Sequence, residues 1–339
     1  MSIDQVAEST AQRLKSFVRH TDLEDGDVSL AAQALRLLEQ PLRLVVFGTD
    51  PKHAISLVNL MVGESLIPSN LPVANIRLKH DTEPHAKIQR RDGEKQLIRG
   101  EDFSAVFDGN PAKTQICVDL PVLKKLSVLL VAQNDAMALH GDLERWLSSA
   151  DIVLWAGGEP SMPIMELWRS MHEQLRSHSF LVLSPNGDPE PWRDFANEFA
   201  DLLYVDPRRA HAAKTRKGGV DKAAFKDSGG TQIVKTIKKE IDLNIQFGID
   251  AAELLFARHA DAFGQANLAS PPSKSDAEME KKPEAQKVRS RETDSSDVEL
   301  ERAEERAKAI ERVLTRSTRE QNYSVPLGKV ATRSRGLLF

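Results

Sequence analysis

The stretch "VVFGTDPKHAISLVNLMVGE", residues 45–64, carries the reading of the fold. An apolar run ends at Gly48, a short polar turn follows, and a segment rich in Leu, Val and Met begins. Strand, turn and helix start in that order form the place where α/β proteins hold phosphate. A working phosphate loop reads G-x-x-x-x-G-K-[ST]. Counted from Gly48, the second glycine falls on His53, the lysine on Ala54 and the hydroxyl residue on Ile55.

Outward from this stretch, apolar runs alternate with helical patterns. "LRLVVFG" (42–48), "KLSVLLVAQ" (125–133), "DIVLWAG" (151–157), "SFLVLS" (179–184) and "DLLYV" (201–205) are apolar on both faces, as central strands of a mainly parallel sheet are. Helical patterns occupy 54–62, 136–149, 162–176 and 190–200. Residues 75–118 read as strands and turns, with "RRDGEK" marking a hairpin. The alternation predicts an α/β fold: a doubly wound, mainly parallel sheet flanked by N- and C-terminal helices.

Residues 1–40 read as two N-terminal helices. Ala7, Ala11, Leu14 and Val18 give the first an apolar stripe, Asp27 or Ser29 caps the second, and Pro41 stops it. The α/β domain takes 41–245, and a helix takes 246–268. Residues 269–296 are poor in apolar side chains and read as a disordered linker. An amphipathic helix is expected at 297–322, where Ser296 and Glu299 have capping-box spacing. Its narrow coiled-coil-like seam includes Ile310 and Leu314. A flexible basic tail, 323–339, ends the chain.

Composition narrows the function classes. The chain has 339 residues, 40% hydrophobic and 28% charged, and a net charge of −4, which argues against a nucleic-acid binder over its whole surface. Cys117 is the single cysteine, so an intrachain disulfide and a cysteine-built zinc site are excluded; "TQICVDL" places it in a buried strand. No apolar run approaches the roughly 18 residues of a membrane span, and the N-terminus has no apolar signal core. These features point to the cytoplasm, with peripheral contact at the inner membrane surface as the alternative. "HEQLRSH" misses the zinc-protease spacing, and no G-x-S-x-G elbow occurs. Trp146, Trp155, Trp168 and Trp192 read as core or boundary residues.

Taken together, the motifs resemble the GTPase domain of the dynamin-like family, in particular its bacterial members. The family's first loop and helix run as G-x-x-x-x-G-K-S-T-L-L-N-A-L-L-G, of which Ser56, Leu57, Val58, Asn59, Leu60 and Gly63 remain. "SLIPSNLPVANIRL" matches the next segment, with Val73 and Ala74 where its threonines stand. "CVDLPVLKKLSVLLVAQND" matches the strands before D-T-P-G, placing the metal-linked aspartate near Leu130 or Val131. "FLVLSPNGDPEPW" matches the base-reading strand, with Pro185 and Asn186 replacing Asn and Lys and Asp188 in the place of the final Asp. "DSGGTQIVKTI" resembles the glycine turn before the closing helix.

The resemblance implies a pseudo-GTPase. Ala54 and Ile55 supply neither the phosphate-binding ammonium nor the metal-binding hydroxyl, and phosphoryl transfer depends almost wholly on such charge placement. No catalytic residue and no metal ligand are expected. Cofactor binding is expected to be absent, or limited to weak GTP or GDP binding at the remnants Gly48, Lys52, Ser56 and Asp188. As the family's GTPase domains pair with one another, the resemblance implies a protein partner: this chain itself or an active dynamin-like GTPase. Residues 208–226 carry seven Lys or Arg against one Asp. Arg208, Arg209, Lys214, Arg216 and Lys217 are therefore either solvated loop charge or contacts to an anionic membrane or partner, nucleic acid being disfavoured. Ile310 and Leu314 either tether a partner or pack on the chain's own N-terminal helices. The rival readings are a divergent Mg²⁺-dependent GTPase or ATPase and a peripheral membrane scaffold acting through 208–226.

Overall fold

The computed structural model describes residues 2–21, 23–71, 73–108, 111–133, 144–214 and 219–260. Two compact units are formed. The larger comprises Met1–Gln12 and Ala34–Leu254; the other joins Arg13–Gln33 to the segment from Leu255.

The larger unit is built on one sheet. Its strands are β1 (Leu42–Gly48), β2 (Val73–His80), β3 (His85–Gln89), β4 (Lys95–Arg99), β5 (Lys113–Val118), β6 (Leu126–Gln133), β7 (Ile152–Ala156), β8 (Ser179–Leu183) and β9 (Asp201–Tyr204). They lie in the order β4-β3-β5-β2-β6-β1-β7-β8-β9. β6, β1, β7, β8 and β9 run parallel, whereas β2 pairs antiparallel with β6, and β3 pairs antiparallel with both β4 and β5. The sequence runs apolar on both faces thus form the parallel half, where both faces are covered.

The helices are α1 (Ile3–His20), α2 (Asp25–Glu39), α3 (Pro51–Val62), α4 (Met162–Ser170), α5 (Glu173–Ser177), α6 (Pro207–Lys214), α7 (Lys222–Asp227) and α8 (Gly230–Arg258). On one side of the sheet, Leu44, Val46, Leu130 and Leu154 pack with Ile55 and Val58 of α3, Ala210 of α6 and Ile233 of α8. On the other, Val45, Phe47, Val131 and Val153 pack with Leu147, Ile164 and Met165. All four tryptophans lie in this second core, and Trp155 meets Phe47, Trp168, Trp192 and Phe199 edge to face. Asp151, at the entry to β7, holds the layers together. It accepts from the Arg43 amide at 2.9 Å, from the Arg43 guanidinium at 2.7 and 3.0 Å, and from Arg36 of α2 at 3.2 Å.

In the second unit Phe17 meets Phe256 edge to face at 5.5 Å. The Arg13 guanidinium lies 4.8 Å from the Phe256 ring centre. Asp27 accepts from Arg258 at 3.0 Å and pairs with His259 Nε2 at 2.7 Å; the His259 hydrogen bond leads the forces holding its carboxyl below the usual range.

Several local expectations change. The α2 helix begins at Asp25, so Asp27 and Ser29 lie inside it rather than capping it. The pattern at 162–176 is broken at Met171, whose extended backbone ends α4, and His172 caps α5 through its ring nitrogen. Residues 190–198 form a 3-10 rather than an α-helix. The basic stretch folds into α6 and α7, Asp221 capping the latter by accepting from the Ala224 amide. The α8 helix passes 245 without interruption. The expected linker at 269–296, helix at 297–322 and tail at 323–339 lie outside the described residues.

Candidate functional site

The turn between β1 and α3 consists of Thr49 and Asp50 alone. Asp50 has an extended backbone and caps the helix: its carboxylate accepts from the His53 amide at 3.2 Å, and its carbonyl accepts from Ala54 N at 3.1 Å. Pro51 occupies the first helical position and has no N–H to offer. The α3 terminus therefore already carries an anion of its own, covalently placed where the helix dipole favours negative charge. Ala54 and Ile55, at the lysine and hydroxyl positions, are fully buried in the core.

The neighbouring turn is closed over this one. A Cβ at Gly48 would lie 2.4 Å from the Ala156 carbonyl oxygen, so glycine is required there by the approach of the β7 backbone. Gly158, at φ +83°, lies against Thr49: a Cβ at that position would stand 1.8 Å from Thr49 Oγ1. The Trp192 indole donates to the Gly158 carbonyl at 2.9 Å and pins the turn. The His53 ring packs against Gly157, and its Nε2 is buried with no hydrogen-bond partner among the described residues. Burial lowers the pKa of His53 from its ordinary value, although Asp50 and Asp206 oppose the shift.

The structure places the remnants predicted from sequence on separate elements, only Lys52 and Ser56 sharing one. Gly48 ends β1; Lys52 is exposed on the first turn of α3; Asp188 is exposed after β8, where its carboxylate accepts from the Glu190 amide at 2.9 Å. Ser56 is 7% exposed and donates to the Lys52 carbonyl at 2.7 Å. It faces a cleft of about 890 Å³ together with Asn59, Phe103, Phe107, Arg208 and His211. Asn59 fixes one wall of that cleft, donating to the Ile67 carbonyl at 2.7 Å and accepting from its amide at 3.1 Å. Leu130 and Val131, where a metal-linked carboxylate would fall, are buried strand residues. The residues present thus do not fit a nucleotide phosphate with its magnesium: the donors are lacking and an aspartate sits at the helix end.

Of the contact residues, Arg208 and Arg209 are exposed on α6, and Lys214 ends it with its ammonium beside Gly63, the left-handed cap of α3. Arg216, Lys217, Ile310 and Leu314 lie outside the described residues. Motif matching missed Asp50, Pro51 and His53. The signal was present: Asp followed by Pro at the start of an apolar helical pattern marks a cap and a first helical residue.

Cys117, Asp81 and His85 bring ligand atoms within 4.8 Å of one another, a mixed cluster that a search for cysteine spacing does not find. Its surroundings oppose a divalent cation. Lys79 is the cross-strand neighbour of Cys117 and Arg99 that of His85, while Gln115 donates to the Cys117 sulfur at 3.4 Å.

No family model and no curated protein matches the sequence. Solved structures do. Two come from an oligomerised bacterial dynamin pair described as a mechanism for long-range sensing and tethering of membranes. The chain superposes on them with TM-scores of 0.53 and 0.55 at 13% and 14% identity. In each case 78% of this chain covers 57% of the dynamin chain, so it spans little more than half of their length. A likeness at such identity is one of fold, and the fold of this chain is dynamin-like.

Proposed function

We propose that the chain is a pseudo-GTPase: a dynamin-like fold retained as an interaction or scaffold module, pairing with a second copy or with an active dynamin-like partner. The observation that carries this reading is the closed β1–α3 turn, in which Asp50 supplies an internal anion to the helix end where a phosphate would have to sit. A nucleotide would have to displace that carboxylate without a lysine to compensate it. Losing one preorganised donor costs on the order of a hundredfold in rate, and here the lysine, the hydroxyl and the metal-linked carboxylate are absent together. The solved neighbours form an oligomerised pair, which supports a protein partner of the same kind. The exposed cations Arg208 and Arg209, with Lys214, Arg216 and Lys217, and the seam around Ile310 and Leu314 are the proposed contact residues.

Phosphate release from GTP and ATP in the presence of Mg²⁺ tests the reading. The expected rate is that of buffer alone, and Lys52→Ala and Asp188→Ala leave it unchanged. Turnover that falls in either variant would instead establish a divergent NTPase.

A further inference from the structure

The helical layer containing Trp146, Leu147 and Met165 covers β6, β1, β7 and β8 and leaves the rest of that sheet face bare among the described residues. The ladders give the contents of the bare face. One row runs Leu97, Lys87, Gln115, Arg77; the next Arg99, His85, Cys117, Lys79; the third Lys95, Gln89, Lys113. Residues directly opposite across strands share a face. The opposite face of the same strands carries Ile76, Leu78, Ala86, Ile88 and Ile116 into the core. Six cations therefore stand on one side of four strands, Lys87, Lys95, Arg99 and Lys113 exposed and Arg77 and Lys79 partly buried beside buried Cys117. The rows themselves contain no acidic residue, the Asp81 carboxylate approaches His85 and Cys117 at one corner, and none of the six forms an ion pair among the described residues.

We propose that this bare face of β2, β3, β4 and β5 is a docking surface for an anionic lipid bilayer. Like charges directly opposite or diagonal on a sheet repel, and the cluster persists here at a cost that an anionic partner would relieve. Burial, then the neighbouring charge of Arg145 for Arg77 and of Arg77 and Lys87 for Lys79, lowers the pKa of both inner cations. At about 4.8 Å between strands and about 3.3 Å per residue, the patch measures roughly 15 to 20 Å across. It is an open sheet face rather than a helix or ribbon shaped for a major groove. The His85 imidazole is the one ring in its rows, its Nδ1 2.9 Å from the Glu83 carbonyl, and a single ring makes no platform for successive bases. Leu97, 49% exposed, stands on the outermost strand between Lys95 and Arg99. An apolar side chain ringed by cations suits a headgroup layer. The chain as a whole is at −4, so the attraction is local and acts within a Debye length, about 8 Å at physiological salt.

The test is co-sedimentation of the full chain with vesicles of phosphatidylcholine alone or with added phosphatidylserine, at low and high salt. Binding is expected only with phosphatidylserine and is expected to weaken with salt. The variant Lys87→Glu/Arg99→Glu/Lys113→Glu changes two exposed charges and one on the edge strand, and should weaken binding on the order of a hundredfold, about fivefold per residue. The control Lys235→Glu/Lys238→Glu/Lys239→Glu, at exposed positions of α8, should bind as the wild type, and Arg208→Glu/Arg209→Glu/Lys214→Glu tests the rival contact on α6. Should the reversed variant melt early, Lys87→Gln/Lys113→Gln serves instead, with a loss of about twentyfold to thirtyfold. The proposal is overturned by equal binding to neutral vesicles, by no binding to either, or by binding that survives the sheet variants. Loss in the α6 variant alone would overturn the proposal and move the membrane contact to residues 208–226. Binding of a single-stranded oligonucleotide through the same lysines, without vesicle binding, would make the face a nucleic-acid surface.

Discussion

Asp151 shows how much a single side chain holds in this fold. Its carboxylate is shared by Arg36 of α2 and Arg43 of β1 at the entry to β7. Burial alone would raise its pKa, yet the hydrogen bonds and charge of Arg43 and the charge of Arg36 hold it below the usual carboxylate range. Removing one partner of a buried pair leaves the others uncompensated, so Asp151→Asn should destabilise by about 3 kcal/mol in a denaturant titration. His178 works in the opposite direction. Its Nδ1 lies 2.6 Å from a carboxylate oxygen of buried Glu240 on α8, and this hydrogen bond raises the imidazole pKa against the effect of burial. The folded state then binds a proton more tightly than the unfolded chain. The stabilisation is full below about pH 6.5, the ordinary histidine value, and is lost as pH rises through the folded value. Thermal melts should show this loss in the wild type and a flatter profile in His178→Gln.

At the scale of elements, α3 and the loop after it form one unit through Asn59, which satisfies both backbone groups of Ile67. In Asn59→Ala two buried backbone groups lose their partners, and the expected cost is about 2 to 3 kcal/mol with a loosened cleft wall, visible as faster amide exchange at 65–69. The parallel half of the sheet was legible in the sequence because strands buried on both faces must be apolar throughout, as "LRLVVFG" and "DIVLWAG" are. In the antiparallel half the "RRDGEK" hairpin that pairs β3 with β4 was legible, whereas the pairing of β5 with β3 and of β2 with β5 and β6 was not. The cation pattern was there to be read: "NIRLKH" and "HAKIQ" each alternate basic and apolar positions. What the alternation does not reveal is that the cations of separate strands share one face, since register is set by pairing across the chain. At the candidate site, the missing lysine and hydroxyl were legible from spacing. The Asp50 cap was legible as Asp before Pro at a helix start, but motif counting registers absent residues and passes over what stands in their place. The closure of Gly158 over Thr49 was not legible, since it depends on packing between separate strands.

In the whole molecule a dynamin-like fold carries a helix end that supplies its own anion, and the proposed function rests on that combination. On the proposed reading the fold is kept for its surfaces. The central claim of that reading is that nucleotide has nowhere to bind. The most direct test is the melting temperature of the full chain with millimolar GTP, GDP or ATP, with and without Mg²⁺. A ligand present at a hundred times its dissociation constant would add about 2.7 kcal/mol of stability, a shift any melting curve resolves. The account predicts no shift with any of the three. A Mg²⁺-dependent rise in melting temperature would contradict it, and would mean that the Asp50 cap opens to admit phosphate.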